Sequence, residues 1–190
     1  MSLNRYKTID LLIFAVIVTV MEIAVRLALK ISPNEIFTFS STLAVTLIVM
    51  VRWGPWGLIH GALGGIVFAL VNGAESKVIL CYGIGNLGAA LALLVSTRVP
   101  GEQLRRKWRY IILYTVAGYA GMCIGRAAVA AVLEGNMSFF LYVKGYAVQE
   151  ALNGVITLVV LYIAGRQNGV FENQISYLRR IAKEEELKNA

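Results

Sequence analysis

Four charged side chains lie inside long apolar stretches of this sequence: Glu22, Arg26, Arg126 and Glu150. A charge placed in the hydrocarbon of a membrane costs at least a few kcal/mol unless it is paired or lines a polar cavity. Carboxylates and guanidinium groups in such positions can bind each other, or they can bind a polar ligand. The four residues therefore indicate either buried ion pairs or a polar pocket.

Glu22 and Arg26 are four residues apart, so a helix would place both on one face. One interpretation is an ion pair that satisfies itself against a neighbouring helix. The other is that one or both residues contact a ligand. The spacing alone favours neither.

More polar side chains surround Glu150 than a simple ion pair needs. Arg126, on the preceding apolar stretch, could pair with Glu150 as a structural lock, but Gln149 and Asn153 add two amides. On a helix, residues 150 and 153 share a face, and 149 can point the same way as 153. Buried polar groups need partners, and a polar ligand is one way to supply them.

The composition of the chain is that of a membrane protein. Hydrophobic residues make up 58% and charged residues 15%, whereas soluble domains are nearer half apolar and a quarter charged. The apolar residues form runs long enough to cross a bilayer, which takes about 20 helical residues. We therefore expect an all-α integral membrane protein with one transmembrane domain, residues 1–165.

Six transmembrane helices are predicted, with Gly54-Pro55 marking the turn between the second and third. Ser32-Pro33-Asn34 follows the first helix, and Val99-Pro100-Gly101 ends the fourth. The approximate bounds are Ile9–Lys30, Phe37–Arg52, Trp56–Val71, Val78–Val99, Tyr110–Leu133 and Phe139–Ala164.

Lysine and arginine are concentrated in alternate loops, which predicts the orientation. Basic residues precede the first helix, lie between the second and third, cluster at residues 98–109 and follow the sixth. The N- and C-termini are therefore predicted to be cytoplasmic. This orientation also explains the net charge of +7 without a nucleic-acid partner. It places the buried charges, and Asn86, in the outer half of the membrane.

The segment 166–190 is predicted to be a cytoplasmic amphipathic tail. Phe171, Ile175, Leu178 and Ile181 follow one another at helical spacings. Such a helix would lie on the membrane surface or against a partner. The alternative is a loosely ordered, charged tail.

No catalytic or cofactor chemistry is indicated by the sequence. It contains no Gly-x-x-x-x-Gly-Lys-Ser/Thr loop for ATP and no His-Glu-x-x-His zinc motif. His60 is the only histidine, and Cys81 and Cys123 lack metal-type spacing. We expect no metal, no cofactor and no enzymatic activity, so any uphill transport would need a partner or an ion gradient.

Glycine and alanine are spaced for close helix packing. Gly61, Gly64 and Gly65 lie in the third predicted helix, and Gly121 and Gly125 in the fifth. Small residues four apart let membrane helices approach closely. Ala15 and Thr19 form a similar pair in the first helix, where they could dock another membrane subunit.

The segment Arg52-Trp53-Gly54-Pro55-Trp56-Gly57, leading into Gly61 and Gly64-Gly65, resembles the turn and glycine-rich third helix of one family. That family is the S components, the substrate-binding membrane subunits of energy-coupling factor (ECF) vitamin transporters. Size, six helices and inward termini agree with the resemblance, which covers residues 5 to 165. The family's docking signature is Ala-x-x-x-Ala, from which Ala15 to Thr19 departs.

The resemblance implies high-affinity binding of a vitamin or related precursor from outside the cell membrane. A transmembrane coupling subunit and two ATPase subunits would complete the importer. Arginine recognises carboxylates well, which favours a carboxylate-bearing vitamin such as pantothenate. By resemblance the site maps onto the later helices and residues 31 to 36, and with Glu22 and Arg26 the candidate residues include Asn86, Arg126, Lys144, Tyr146, Gln149, Glu150 and Asn153.

A structural or scaffold membrane protein is the alternative hypothesis. In that case Glu22 with Arg26, and Arg126 with Glu150, would be ion-pair locks, and no small molecule would bind.

Overall fold

The computed structural model describes residues 3–31, 39–135, 138–167 and 169–189, and within these ranges the chain is helical, with no strand. Two 3-10 segments, Gly54–Trp56 and Asn86–Ala92, interrupt the α-helices. The α-helices are α1 (Leu3–Ile31), α2 (Thr42–Trp53), α3 (Gly57–Val71), α4 (Ser76–Gly85), α5 (Leu93–Ser96), α6 (Gly101–Arg106), α7 (Trp108–Glu134), α8 (Phe139–Gln149), α9 (Ala151–Arg166) and α10 (Gln174–Asn189).

Four helical stretches are long and apolar enough to cross a membrane, and the bent pair α8–α9 is a fifth if it crosses as one span. The two halves of this pair meet at an angle of 54°. The expected class, an all-helical chain with several spans, is confirmed at this level. The four unbent stretches are Asn4–Leu29, Thr42–Val71, Ser76–Ser96 and Trp108–Glu134.

The stretch Thr42–Val71 is a hairpin of two antiparallel helices. A β-carbon added to Gly57 would lie 2.4 Å from Met50 Cγ, and one added to Gly64 would lie 2.5 Å from Thr42 Oγ1. From Gly57 to Gly64 the contacts on α2 move back from Met50 to Thr42, so α3 runs antiparallel to α2. Gly54, with φ of 62°, makes the turn predicted at Gly54-Pro55.

The two arms of this hairpin are short. They have 12 and 15 residues, which corresponds to about 18 and 22 Å of helix. The hydrocarbon core of a bilayer is about 30 Å thick. The start of α2 lies inside the bundle, since Thr42 and the N-cap residue Ser41 are both buried.

The predicted fourth and sixth helices exist but are interrupted. The fourth changes to 3-10 winding at Asn86, and the sixth bends at Glu150. Neither position has proline, so no local break signal marks these two positions. The predicted second-helix start at Phe37 and the Ser32-Pro33-Asn34 break lie outside the described residues.

Glycines bring α7 into backbone contact with the stretch Ser76–Ser96, here called the fourth helix. A β-carbon on Gly88 would lie 2.1 Å from the carbonyl oxygen of Gly121, and one on Gly125 would lie 2.1 Å from that of Gly85. These distances leave no room for a side chain. The predicted close packing through small residues is therefore confirmed for these helices.

The start of α1, the hairpin turn and the start of α10 meet at one end of the bundle, here called the terminal end. Asp10 accepts hydrogen bonds of 3.0 Å from Nε and Nη2 of Arg52. The Lys7 ammonium lies 3.7 Å from the centre of a Trp56 ring. Phe171 is buried in the core, and Ile175 packs against Trp53 and its neighbours. The tail thus contains the predicted helix, and its first part packs on the bundle.

Candidate functional site

The two helix interruptions are joined by one buried arginine. Arg126, on α7, donates from Nε to Oδ1 of Asn86 at 2.7 Å. Its Nη1 forms an ion pair with Oε1 of Glu150, the residue between α8 and α9. Only 2% of Arg126 is exposed. A single guanidinium therefore connects the start of the 3-10 segment at Asn86 with the bend at Glu150.

Asn153 carries the network from Glu150 to the start of α2. Its Nδ2 donates to Oε2 of Glu150 at 3.2 Å. Its Oδ1 accepts from the backbone N–H of Ser40 at 3.1 Å. The amide therefore uses both of its ends, and it holds the segment before α2 against α9.

Glu22 binds the N-terminus of α2 from the neighbouring helix α1. Its Oε1 accepts from Ser40 Oγ at 2.9 Å, from Ser41 N at 2.8 Å and Oγ at 2.9 Å, and from Thr42 Oγ1 at 2.9 Å. The first N–H groups of a helix lack partners, and its dipole favours a negative charge there. Glu22, which lies on α1, therefore caps the N-terminus of α2.

The second oxygen of this carboxylate is available for a further hydrogen bond. Oε2 of Glu22 is buried and accepts none from the described residues. A buried acceptor without a partner is costly and unusual, so it calls for an explanation. A ligand or water that carries a donor would satisfy it.

These contacts form one continuous polar network through the bundle. The side-chain Nδ2 of Asn86 donates to the carbonyl oxygen of Gly61 on α3 at 2.8 Å. The network thus touches α1, the start of α2, α3, the fourth helix, α7 and α9. In order it runs through Glu22, Ser40, Asn153, Glu150, Arg126, Asn86 and Gly61.

An aromatic wall lies beside Arg126. Its guanidinium carbon is 4.1 Å from the centre of the Tyr82 ring, which is close enough for a cation–π contact. Tyr146 meets Tyr82 edge-on at 6.3 Å, and Phe68 stacks on it at 5.1 Å. The arginine is therefore held between polar groups on one side and rings on the other.

The cavity at this network is closed down to the size of one water. Its volume is about 10 Å³, and Tyr119, Cys123, Arg126, Glu150 and Asn153 are among its lining residues. About 10–15 Å³ is needed for a single water. In this conformation Arg126, Glu150 and Asn153 are bonded to one another, so a metabolite would enter only by displacing some of these contacts.

A larger cavity, of about 700 Å³, lies at the terminal end. Buried Met50 and Leu104 line it, but its charged side chains, Glu102, Glu172 and Arg180, are partly or fully exposed. Solvated charges at a surface need no special partner. The buried network, and not the larger volume, therefore identifies the candidate site.

Five of the predicted site residues make the network contacts described above, and the other four are Arg26, Lys144, Tyr146 and Gln149. Tyr146 is half-buried beside Tyr82, Arg26 is half-buried one turn beyond Glu22, and Lys144 and Gln149 are exposed. Residue 149 is rotated by about 100° from residue 150 on a helix. The five residues that the network includes are Glu22, Asn86, Arg126, Glu150 and Asn153.

Sequence reasoning missed the hydroxyl residues Ser40, Ser41 and Thr42. The signal was present, because a serine and threonine run just before an apolar helix marks an N-terminus. Of the predicted binding segment 31 to 36, residues 32 to 36 lie outside the described residues.

The predicted docking pair on α1 is partly buried. Thr19 Oγ1 donates to the carbonyl oxygen of Ala15 at 2.9 Å, so its hydroxyl is satisfied within the helix. Val16 and Val20, beside this pair, are 61% and 56% exposed. The pair therefore lies at the margin of an apolar surface.

Compared with protein-family models, with curated proteins and with solved structures, the chain matches none of them. The buried network and the sequence pattern are therefore the basis for a functional assignment.

Proposed function

We propose that this chain is the substrate-binding subunit, or S component, of an ECF-type importer in the cell membrane. It crosses the membrane six times, through α1, α2, α3, the α4–α5 segment, α7 and the α8–α9 pair. Both termini lie in the cytoplasm, since the basic loops mark that side. A coupling subunit docks beside Ala15 and Thr19, and two ATPase subunits supply the energy.

The buried polar network at two interrupted helices carries this proposal. Membrane transporters commonly form substrate sites where helices are interrupted, because freed backbone and polar groups there can bind a ligand. Asn86 and Glu150 mark such positions, and Arg126 connects them. The free acceptor on Glu22 provides a further contact point.

A carboxylate-bearing vitamin such as pantothenate suits these groups. Its carboxylate competes with Glu150 for Arg126, since a guanidinium binds carboxylates through two hydrogen bonds. A hydroxyl or amide N–H of the ligand donates to Oε2 of Glu22. Release of Glu150 lets α8 and α9 change their angle, which opens the closed cavity.

The closed network favours one second candidate, a structural or scaffold protein. A cavity of about 10 Å³ holds no vitamin, and Arg126 already has two polar partners. In that case the ion pair would be a lock, with no small-molecule ligand.

A thermal-shift screen of the purified chain against a panel of vitamins separates the two candidates. An S component is stabilised by one compound at micromolar concentration or below. The panel includes pantothenate, lipoate and folate, together with neutral and zwitterionic precursors. If no compound in the panel raises the midpoint of thermal unfolding, the result would favour a scaffold protein.

A further inference from the structure

An apolar groove separates the start of α7 from the end of α9, away from the polar network. Its volume is about 390 Å³, which is within the usual range of small-molecule sites, roughly 300–1,000 Å³. Trp108 and Tyr162 are 67% and 43% exposed, so the groove faces outward from the bundle. The side chains that line it are Trp108, Ile111, Ile112, Leu158, Val159 and Tyr162.

A fixed arginine marks one end of this groove. The guanidinium carbon of Arg166 lies 4.6 Å from the centre of the Tyr162 ring, and its Nη2 donates to the Tyr162 hydroxyl. Tyr162 itself lines the groove, so the arginine is oriented by a groove residue. Arg166 is nevertheless exposed, which leaves its remaining donors accessible.

Two more cations flank Trp108 at the start of α7. Lys107 precedes it and Arg109 follows it, and both side chains lie over the Tyr110 ring, at 5.8 and 5.1 Å. Both are exposed. Arg166 thus places positive charge against the groove residue Tyr162, and both sequence neighbours of the groove residue Trp108 are also cationic.

We propose that this groove binds an anionic phospholipid, with one acyl chain on the apolar lining and the phosphate at Arg166. Arginine binds phosphate oxygens through a planar fork, which Tyr162 holds in place here. Basic residues at the membrane surface attract anionic lipids electrostatically. This charge complementarity selects an anionic headgroup over a zwitterionic one. The inference requires only that the chain is embedded in a membrane, so it is independent of the transport proposal.

Native mass spectrometry of the full chain in detergent tests this site. Phosphatidylglycerol and phosphatidylcholine with the same acyl chains are added in turn to delipidated protein. We expect the wild type to bind phosphatidylglycerol at least fivefold better than phosphatidylcholine. Equal binding of the two lipids would overturn the proposal.

Three variants locate the binding. Arg166→Gln should remove most of the preference for phosphatidylglycerol, and Val159→Trp, which fills the groove from its exposed rim, should lower binding of both lipids. Arg180→Gln removes the same charge from an exposed arginine on α10 and should leave the preference unchanged. If Arg166→Gln and Arg180→Gln have equal effects, net charge and not this groove determines binding, and the proposal fails.

Discussion

Arg126 is the residue on which the candidate site depends. Its two polar contacts and the Tyr82 ring surround a charge that is almost fully buried. Removing one partner of such a pair leaves an uncompensated charge, whereas removing both can be nearly neutral. This asymmetry allows the contribution of the ion pair to be measured.

We expect Glu150→Leu alone to destabilise the protein by about 3–5 kcal/mol, because Arg126 would remain buried without its counter-charge. The double variant Arg126→Met/Glu150→Leu should recover most of this loss. Unfolding in mixed micelles, followed by circular dichroism, measures the loss of stability in the single and in the double variant. As a control, the exposed pair Glu172–Arg180 should contribute about 1 kcal/mol or less. A double variant as unstable as the single one would contradict a directly coupled pair.

Glu22 is expected to behave as a helix cap. Glu22→Ala removes the acceptor for Ser40, Ser41 and Thr42, and unsatisfied buried donors cost about 1–3 kcal/mol each. Glu22→Gln keeps one acceptor oxygen and should lose less. Thermal unfolding of both variants tests this order, with Glu75→Ala as an exposed control. Equal losses for Ala and Gln would show that the capping hydrogen bonds are unimportant.

At the scale of elements, the glycine contact between α7 and the fourth helix sets the distance across which Arg126 reaches Asn86. Gly88 and Gly121 leave no space for a β-carbon, so any larger residue must push the helices apart. Separation there would also lengthen the Arg126–Asn86 hydrogen bond. Packing and the polar site are therefore coupled.

Gly121→Ala should accordingly destabilise the protein, because its β-carbon would meet the Gly88 carbonyl oxygen at 2.1 Å. Gly145→Ala is the matched control, since nothing lies within 4 Å of a β-carbon there. On the exposed face of α8 this change should be neutral or stabilising by about 0.4–1 kcal/mol. Melting temperatures that fall equally in both variants would refute the close contact.

The sequence predicted some of these elements well and others poorly, for physical reasons. Apolar runs and Gly54-Pro55 predict helices and the hairpin turn, because length, hydropathy and backbone geometry are local properties. The bend at Glu150 has no such local signal, since Arg126 on another helix binds the residue there. The i, i+4 spacing places Glu22 and Arg26 on one face, but it considers one helix only and cannot find Ser41 at the start of α2.

At the scale of the whole molecule, the arrangement of the ends agrees with the proposed topology. Tyr6 on α1 donates to Gln174 on α10 at 3.3 Å, and Lys7 lies over Trp56. The start of α1, the start of α10 and the hairpin turn therefore share one end of the bundle. The proposed topology, six crossings with cytoplasmic termini, would place that end inside the cell.

Labelling of single cysteines in intact cells tests this topology. In a background with Cys81→Ala and Cys123→Ala, a membrane-impermeant maleimide should reach Glu75→Cys from outside. Trp56→Cys and Glu102→Cys should react only after the membrane is permeabilised. External labelling of Trp56→Cys would contradict this orientation, because Trp56 lies at the terminal end beside Lys7.

The affinity of the best vitamin from the panel, measured by isothermal titration calorimetry, tests the central claim most directly. The account predicts that Arg126→Lys, which keeps the charge but loses the fork, weakens binding by about tenfold or more, a loss of at least about 1.4 kcal/mol. Arg180→Gln should bind as the wild type does. No measurable binding by the wild type, or an affinity unchanged by Arg126→Lys, would contradict the account.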